Sequence, residues 1–181
     1  PGMVIINPAD DIEAIQAVHA AAEHDGPVYM RFGRLAVPRV NAEDYKFELG
    51  KGITVKDGND VTIVATGLLV SEAIEAAKQL EADGINARVI NIHTIKPIDK
   101  DIIIKAAKET GLIVTAEEHS VIGGLGSAVC DVLSENCPTK VVKIGVNDVY
   151  GHSGPAVELL KQFGLSAENI VNTVKKALEN K

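Results

Sequence analysis

Aromatic side chains are scarce in this chain: three Phe, three Tyr and no Trp among 181 residues. A core built without them must be filled by Ile, Val, Leu and Ala, which suits a sheet covered by helices on both faces. Basic tracts are missing as well, and the formal net charge is −7. With neither a positive face nor stacking aromatics, a nucleic-acid partner is excluded. No apolar run approaches the ~20 residues that span a bilayer, so no membrane partner is expected. The two cysteines, Cys130 and Cys137, have no zinc spacing and read as reduced thiols of a cytoplasmic protein. No pair of histidines stands at a metal-ligand spacing, so no metal site is assigned. An initiator Met is lacking too. Pro1-Gly2 runs straight into Met3-Val4-Ile5-Ile6, as in a piece of a longer polypeptide.

What is present is an alternation of strand and helix patterns. Apolar residues make up 46% and charged residues 24%, a normal globular balance. Val4–Asn7 reads as a strand, followed by a helix to about Glu23 with Asp10 and Glu13 as its capping pair. Ile12, Ile15, Val18 and Ala22 form the apolar stripe of that helix. Pro27–Phe32 is a second strand. Residues 33–50 lose all periodicity and read as a linker, with short β segments near Lys46–Leu49 and Ile53–Lys56. Asp57-Gly58 carries a hairpin signal.

A regular series follows. The strands are Val61–Thr66, Ala87–Ile92, Leu112–Glu117 and Lys140–Val146. The helices are Leu68–Asp83, one capped by Asp99 and ending at Gly111, one opened by Gly123-Gly124-Leu125-Gly126, and two final ones with Ser153 and Ser166 as N-caps. This order predicts an α/β fold with a mostly parallel, mixed sheet in a three-layer α/β/α sandwich. Residues 50–181 make a complete unit of that kind. Residues 1–38, with two strands and one helix, cannot cover a sheet by themselves. Their strands are expected to expose unpaired edges, with self-association or a disordered amino-terminal third as the result.

Three motifs carry chemical interest. Gly123, Gly124, Gly126 and Ser127 sit in a glycine-rich turn between strand and helix, where free amides form an anion loop. The turn is not a dinucleotide fingerprint, because Val129 stands where the third glycine belongs. Arg31 and Arg34 flank Phe32-Gly33 at a strand's carboxyl end, where a guanidinium meets phosphate in bidentate fashion. His119 stands beside Glu117 and Glu118, with no nucleophile placed next to it by sequence, and reads as a surface histidine.

Several phrases together resemble transketolase-type thiamine diphosphate enzymes. Asn7-Pro8-Ala9-Asp10 and Gly26-Pro27-Val28-Tyr29-Met30-Arg31-Phe32-Gly33-Arg34 resemble the close of the pyrimidine-binding domain. Asn91-Ile92-His93-Thr94-Ile95-Lys96-Pro97, Glu117-Glu118-His119 with its glycine loop, and Tyr150-Gly151-His152-Ser153-Gly154-Pro155 resemble the C-terminal domain. The tail is more similar to transketolase than to deoxyxylulose-phosphate synthase or the β subunit of 2-oxoacid dehydrogenases. Asp44-Tyr45 and Phe47-Glu48-Leu49-Gly50 resemble the two-subunit transketolases.

The resemblance implies that residues 1–38 are the tail of the pyrimidine-binding domain, 39–49 a linker and 50–181 the C-terminal domain. It implies ketol transfer between sugar phosphates by thiamine diphosphate and Mg²⁺, with Arg34 and, more weakly, Arg31 on the substrate phosphate. The family's Gly-Asp-Gly…Asn motif and its activating glutamate have no counterpart here. The expectation is therefore a structural chain that binds no cofactor alone, has no catalytic residue, is inactive alone and works with an N-terminal transketolase subunit and in a homodimer. The alternatives are the same section of a 2-oxoacid dehydrogenase β subunit or of deoxyxylulose-phosphate synthase, and a free-standing small-anion-binding module with its ligand at Gly67, His93-Thr94, Glu118-His119 and Asn147-Asp148, where the two acidic residues argue against a phosphate guest.

Overall fold

Ile, Val and Ala dominate the central strands because both faces of the sheet are covered. The structure, a computed structural model, describes residues 1–180. Its larger sheet has five strands: β3 (Ile53–Lys56), β4 (Val61–Ala65), β5 (Ala87–Asn91), β7 (Leu112–Ser120) and β8 (Lys140–Val146), in the order β3-β5-β4-β7-β8. All neighbours run parallel except β3, which is antiparallel to β5. Alternate residues of β4 divide between two cores. Val61, Ile63 and Ala65 face α2 (Leu69–Ala82) and α6 (Ala167–Glu179), whereas Val64 faces α3 (Lys100–Thr110) and α4 (Leu125–Asn136). The α/β/α sandwich with a mixed, mostly parallel sheet matches the sequence expectation.

Helix ends agree with the sequence where a side chain or a left-handed residue sets them. Asp99 accepts from the amide of Ile102, and Ser166 accepts from that of Asn169. Gly111 closes α3 at φ +67°, a conformation that costs a residue with Cβ about 1 kcal/mol or more. Ser153 is not a cap. The helix α5 (Ala156–Gln162) starts after Pro155, with no side-chain cap.

The Asp57-Gly58 turn does not make a hairpin, because β5 lies between β3 and β4. The turn instead folds onto the start of β5, where Asn59 and Asp60 both donate backbone N–H to the Asn86 carbonyl. Any Cβ at position 58 would lie 2.5 Å from the backbone at Ala87, so the glycine serves close approach.

A second, three-stranded sheet has the order β2-β1-β6, from β1 (Val4–Ile6), β2 (Val28–Met30) and β6 (Thr94–Lys96). β1 pairs in parallel with β2 and antiparallel with β6. The expectation of unpaired edges on both amino-terminal strands is thus corrected. β1 is central, and the carboxy-terminal part of the chain supplies its second neighbour, leaving the outer edge of β2 open. A three-residue strand is too short to leave a periodic signal in the sequence.

The helix α1 (Asp11–Glu23) covers one face of this sheet, but by a different side from the expected one. Ile15 is 60% and Val18 49% exposed, while Glu13 and Ala17 are fully buried. The cause is an acceptor shortage at the base of the helix. Glu13 Oε2 accepts from Ala9 N at 2.7 Å, and its Oε1 accepts from Tyr45 OH at 2.7 Å and Asn91 Nδ2 at 2.9 Å. Burial raises the Glu13 carboxyl above its ordinary range, against the pull of these donors. The small side chains of Ala17 and Ala21 let α1 settle on Val4, Ile6 and Val28.

Residues 33–50 contain no strand, including the segment 46–49 expected to be β. Their polar groups are satisfied by α1 instead. Val40 N and Asn41 N donate to Asp10 Oδ2, Phe47 N donates to Gln16 Oε1, and Gln16 Nε2 donates to the Tyr45 carbonyl. Phe47 then stacks on the buried ring of His93 with centroids 4.3 Å apart. Burial pushes the His93 imidazole down from 6.5 to about 4, with the Asp99 carboxylate pulling the other way.

This junction can be tested at two residues. Replacing Glu13 by Ala strands three donors and should cost about 3 kcal/mol in urea unfolding, with amide exchange rising first in residues 40–47. The His93 pKa is lower in the folded than in the unfolded chain, so its contribution is fully present above pH 6.5 and is lost as pH falls through the window from 6.5 to about 4. Glu13, shifted upward, titrates with the opposite sign, and the Glu13→Gln background removes it. In that background, stability should fall by up to about 1.4 kcal/mol per pH unit across the window, and adding His93→Gln should remove that part of the slope.

Candidate functional site

The carboxyl ends of β1, β2, β4 and β7 converge where the two sheets meet. In open α/β sheets this end is where ligands sit, because the loops there diverge and leave a crevice. Asn7 follows β1, and its backbone N–H donates to the His93 carbonyl at 2.8 Å. Its side-chain amide lies so close to Gly67 that a Cβ there would come within 2.7 Å, and Gly67 itself has φ +57°. Thr66, after β4, donates its hydroxyl to the Asn7 carbonyl at 3.3 Å. Arg31, after β2, donates from Nη2 to the carbonyl of Glu118 on β7 at 2.7 Å. These bonds fasten the end of the small sheet to the end of the large one.

A cavity of about 120 Å³ lies between them. Ile5, Tyr29 and Ile95, one from each strand of the small sheet, form its apolar wall, and Asn7, Arg31, Thr66, Glu117 and His119 its polar one, with Gly123 and Gly124 at the edge. Arg31 and the first half of the glycine loop, separate in sequence, are thus brought together. Arg34 lies elsewhere, exposed on the surface beyond Gly33. The side chain of Glu118 reaches behind Gly33, with its Oε2 3.7 Å from where a Cβ would stand. Burial raises the Glu118 carboxyl, and the Arg31 charge opposes that shift.

Much of the glycine loop's amide capacity is already taken from within the chain. Glu117 is buried, and its carboxylate accepts from Leu125 N at 2.6 Å and from Gly126 N at 2.8 Å. The anion at the start of α4 is therefore the protein's own, set against the positive end of the helix dipole. Gly123 N donates to Ser127 Oγ at 2.9 Å, and Lys143 Nζ also reaches that hydroxyl at 3.3 Å. Of the anion loop expected at Gly123, Gly124, Gly126 and Ser127, the amides of Gly123 and Gly126 are thus bonded within the chain. The signal was in the sequence: the acidic pair Glu117-Glu118 precedes the loop, and a buried carboxylate needs N–H donors.

His119 also differs from a simple surface histidine. Its Nδ1 lies 3.0 Å from the Ser120 carbonyl and 4.0 Å from Glu117 Oε2, and the ring lines the cavity. Asn7, Thr66 and Glu117 carry no sequence signal as site residues, because only the tertiary approach of the two sheets gathers them. No group of three or more His, Cys, Asp or Glu among the described residues is placed to hold a metal ion. No helix among them is long and apolar enough to cross a membrane.

Comparison with known proteins places these features in a family. The family model "Transketolase, C-terminal domain" matches residues 50–170. The 6-deoxy-6-sulfo-D-fructose transketolase subunit SqwH of Clostridium sp. (strain MSTE9) is 44% identical over 181 residues, which is 100% of this chain and 56% of that protein. An apulose-4-phosphate transketolase subunit of Phocaeicola vulgatus is 44% identical over 96% of this chain and 55% of its own length. A 1-deoxy-D-xylulose-5-phosphate synthase of Heliobacterium modesticaldum is 39% identical over 97% of this chain but only 28% of its own length. Among solved structures, one described as "Split gene transketolase, inactive beta4 tetramer" has 51% identity and a TM-score of 0.93, over 99% of this chain and 58% of that one. The chain spans a little over half the length of the transketolase subunits it matches. It belongs to the transketolase family and corresponds to the C-terminal section of its members.

Proposed function

We propose that this chain is the C-terminal section of a two-subunit transketolase, which supports the assembly while thiamine-dependent ketol transfer between sugar phosphates depends on polypeptide outside it. The observation that carries this reading is the end-to-end match to transketolase subunits, nearly the whole of this chain against little more than half of theirs. Residues 1–38 would close the pyrimidine-binding domain, 39–49 would link, and 50–181 would form the C-terminal domain.

The described residues do not fit thiamine diphosphate and Mg²⁺. The cavity at the strand ends, about 120 Å³, is well below the ~300–1,000 Å³ typical of sites for ligands of that size. The acidic side chains beside it, Glu117 and Glu118, are committed to backbone amides or set beside Arg31. The proposed role of this chain in substrate binding rests on the guanidinium groups after β2: exposed Arg34 and, more weakly, Arg31 at the cavity.

Partners follow from the surface. The open edge of β2 and the exposed Ile15, Val18 and Tyr29 suit burial against an N-terminal transketolase subunit or a second copy of this chain. A cytoplasmic location accords with such an assembly and with thiols left free at Cys130 and Cys137. The corresponding section of a deoxyxylulose-phosphate synthase is the second reading, supported by the 39% identity to that enzyme. A free-standing module that holds its anion on the loop amides is disfavoured, since Glu117 already takes those of Leu125 and Gly126.

The test is reconstitution. Alone, the chain should neither take up thiamine diphosphate in a calorimetric titration nor transfer ketol units. Carried in a full-length C-terminal subunit, with a complete pyrimidine-binding domain ahead of it, and mixed with the N-terminal subunit of a split transketolase, it should restore transfer between a ketose phosphate and an aldose phosphate. In that mixture Arg34→Gln should raise KM for phosphorylated acceptors about tenfold, the loss of one charge-assisted contact, with a smaller effect on unphosphorylated ones. Turnover by the chain alone would overturn the proposal, and condensation of pyruvate with an aldose phosphate would favour the second reading.

A further inference from the structure

The C-terminal domain is scaffold in the proposed function, yet it places one imidazole at the cavity shared by the two sheets. We propose that His119 is a recognition residue for a small hydroxylated anion, which Arg31 holds by its anionic group while a neighbouring hydroxyl of the ligand donates to His119 Nε2. This rests on the reading of sugar phosphates as the ligand class.

Three observations carry it. First, the ring has a defined orientation. A carbonyl oxygen only accepts, so the 3.0 Å contact between His119 Nδ1 and the Ser120 carbonyl puts the proton of the neutral ring on Nδ1. Nε2 is then an acceptor, and it has no protein partner among the described residues.

Second, the ring is held from behind. Glu117 stands 4.0 Å from Nδ1, and its carboxylate is fixed by the amides of Leu125 and Gly126. Gly124 makes room for both groups, since a Cβ there would lie 2.9 Å from His119 Nδ1 and would collide with the Glu117 carboxylate. A histidine oriented by a carboxylate and a carbonyl, with the opposite nitrogen left open, is arranged for a ligand rather than for solvent alone.

Third, the cavity pairs this acceptor with a cation. Arg31 spends Nη2 on the Glu118 carbonyl, and its remaining N–H groups have no acceptor among the described residues. Ile5, Tyr29 and Ile95 supply the apolar wall of the same cavity. At about 120 Å³ the space equals roughly four waters at ~30 Å³ each. That suits a phosphate-sized head, with the rest of the ligand leaving past His119, whose side chain is 45% exposed at the mouth.

The assignment is tested on the chain itself by imidazole ¹⁵N NMR, titrating glycerol 3-phosphate, inorganic phosphate and glycerol separately. Glycerol 3-phosphate should move the Nε2 resonance of His119, and glycerol alone should leave it in place. His119→Phe should weaken glycerol 3-phosphate about tenfold, as expected for one lost hydrogen bond, and leave inorganic phosphate nearly unchanged. Arg31→Met should weaken both, and an unchanged amide spectrum elsewhere verifies that each variant is folded. A wild-type His119 ring that stays unmoved at high millimolar glycerol 3-phosphate would overturn the inference, as would equal loss of both anions in His119→Phe. Neither readout involves transferase activity. Failure of reconstitution would therefore sink the proposed function and leave this assignment standing, and an unresponsive ring would do the reverse.

Discussion

A buried carboxylate, Glu13, ties the base of α1 to the irregular segment and to the end of β5. It has no cation beside it. Its donors are neutral and come from three places: the turn before α1, the irregular segment at Tyr45, and Asn91 at the end of β5. A carboxylate out of water is costly unless its lone pairs are taken, and here they are taken by groups that would otherwise be orphaned themselves. The arrangement explains why the helix turns its apolar stripe outward. Burying Ile15 and Val18 would rotate Glu13 away from Ala9, Tyr45 and Asn91. The helix thus meets its polar obligations inside and leaves apolar surface for another chain.

Glu117 repeats the device at the other sheet. Glu117 stands near the end of β7, a glycine turn follows the strand, and the carboxylate returns to the first amides of α4. The helix terminus that resembled an external anion site is closed by an internal one. What remains of the crevice is a small cavity whose polar groups come from four strand ends and whose apolar wall is the uncovered face of the small sheet. Membership in the transketolase family fits this picture of a section that completes a larger assembly.

Much of the fold is legible directly. The strands β4, β5, β7 and β8 are rich in Val, Ile and Ala because helices cover both faces, and the caps at Asp10, Asp99 and Ser166 are local chemistry visible in a few residues. The departures share a cause. Asp57-Gly58 spells a hairpin locally, but the turn is used to pack against Asn86. Ile12, Ile15, Val18 and Ala22 spell a buried stripe, but which face is buried was decided by three distant donors. The segment at Phe47 has the composition of a short strand, yet its backbone is satisfied by Gln16.

The amino-acid sequence by itself determined the α/β class, the main strands and helices in their order, the helix ends at Asp10, Asp99, Gly111 and Ser166, and the family, since each is written in local periodicity, capping residues and contiguous phrases. Only the tertiary structure decided that β6 joins β1, that Glu117 fills its own loop, and that Arg31 and His119 share one cavity. Those outcomes depend on groups far apart in the chain competing for the same buried donors and acceptors, and no local pattern records who wins that competition.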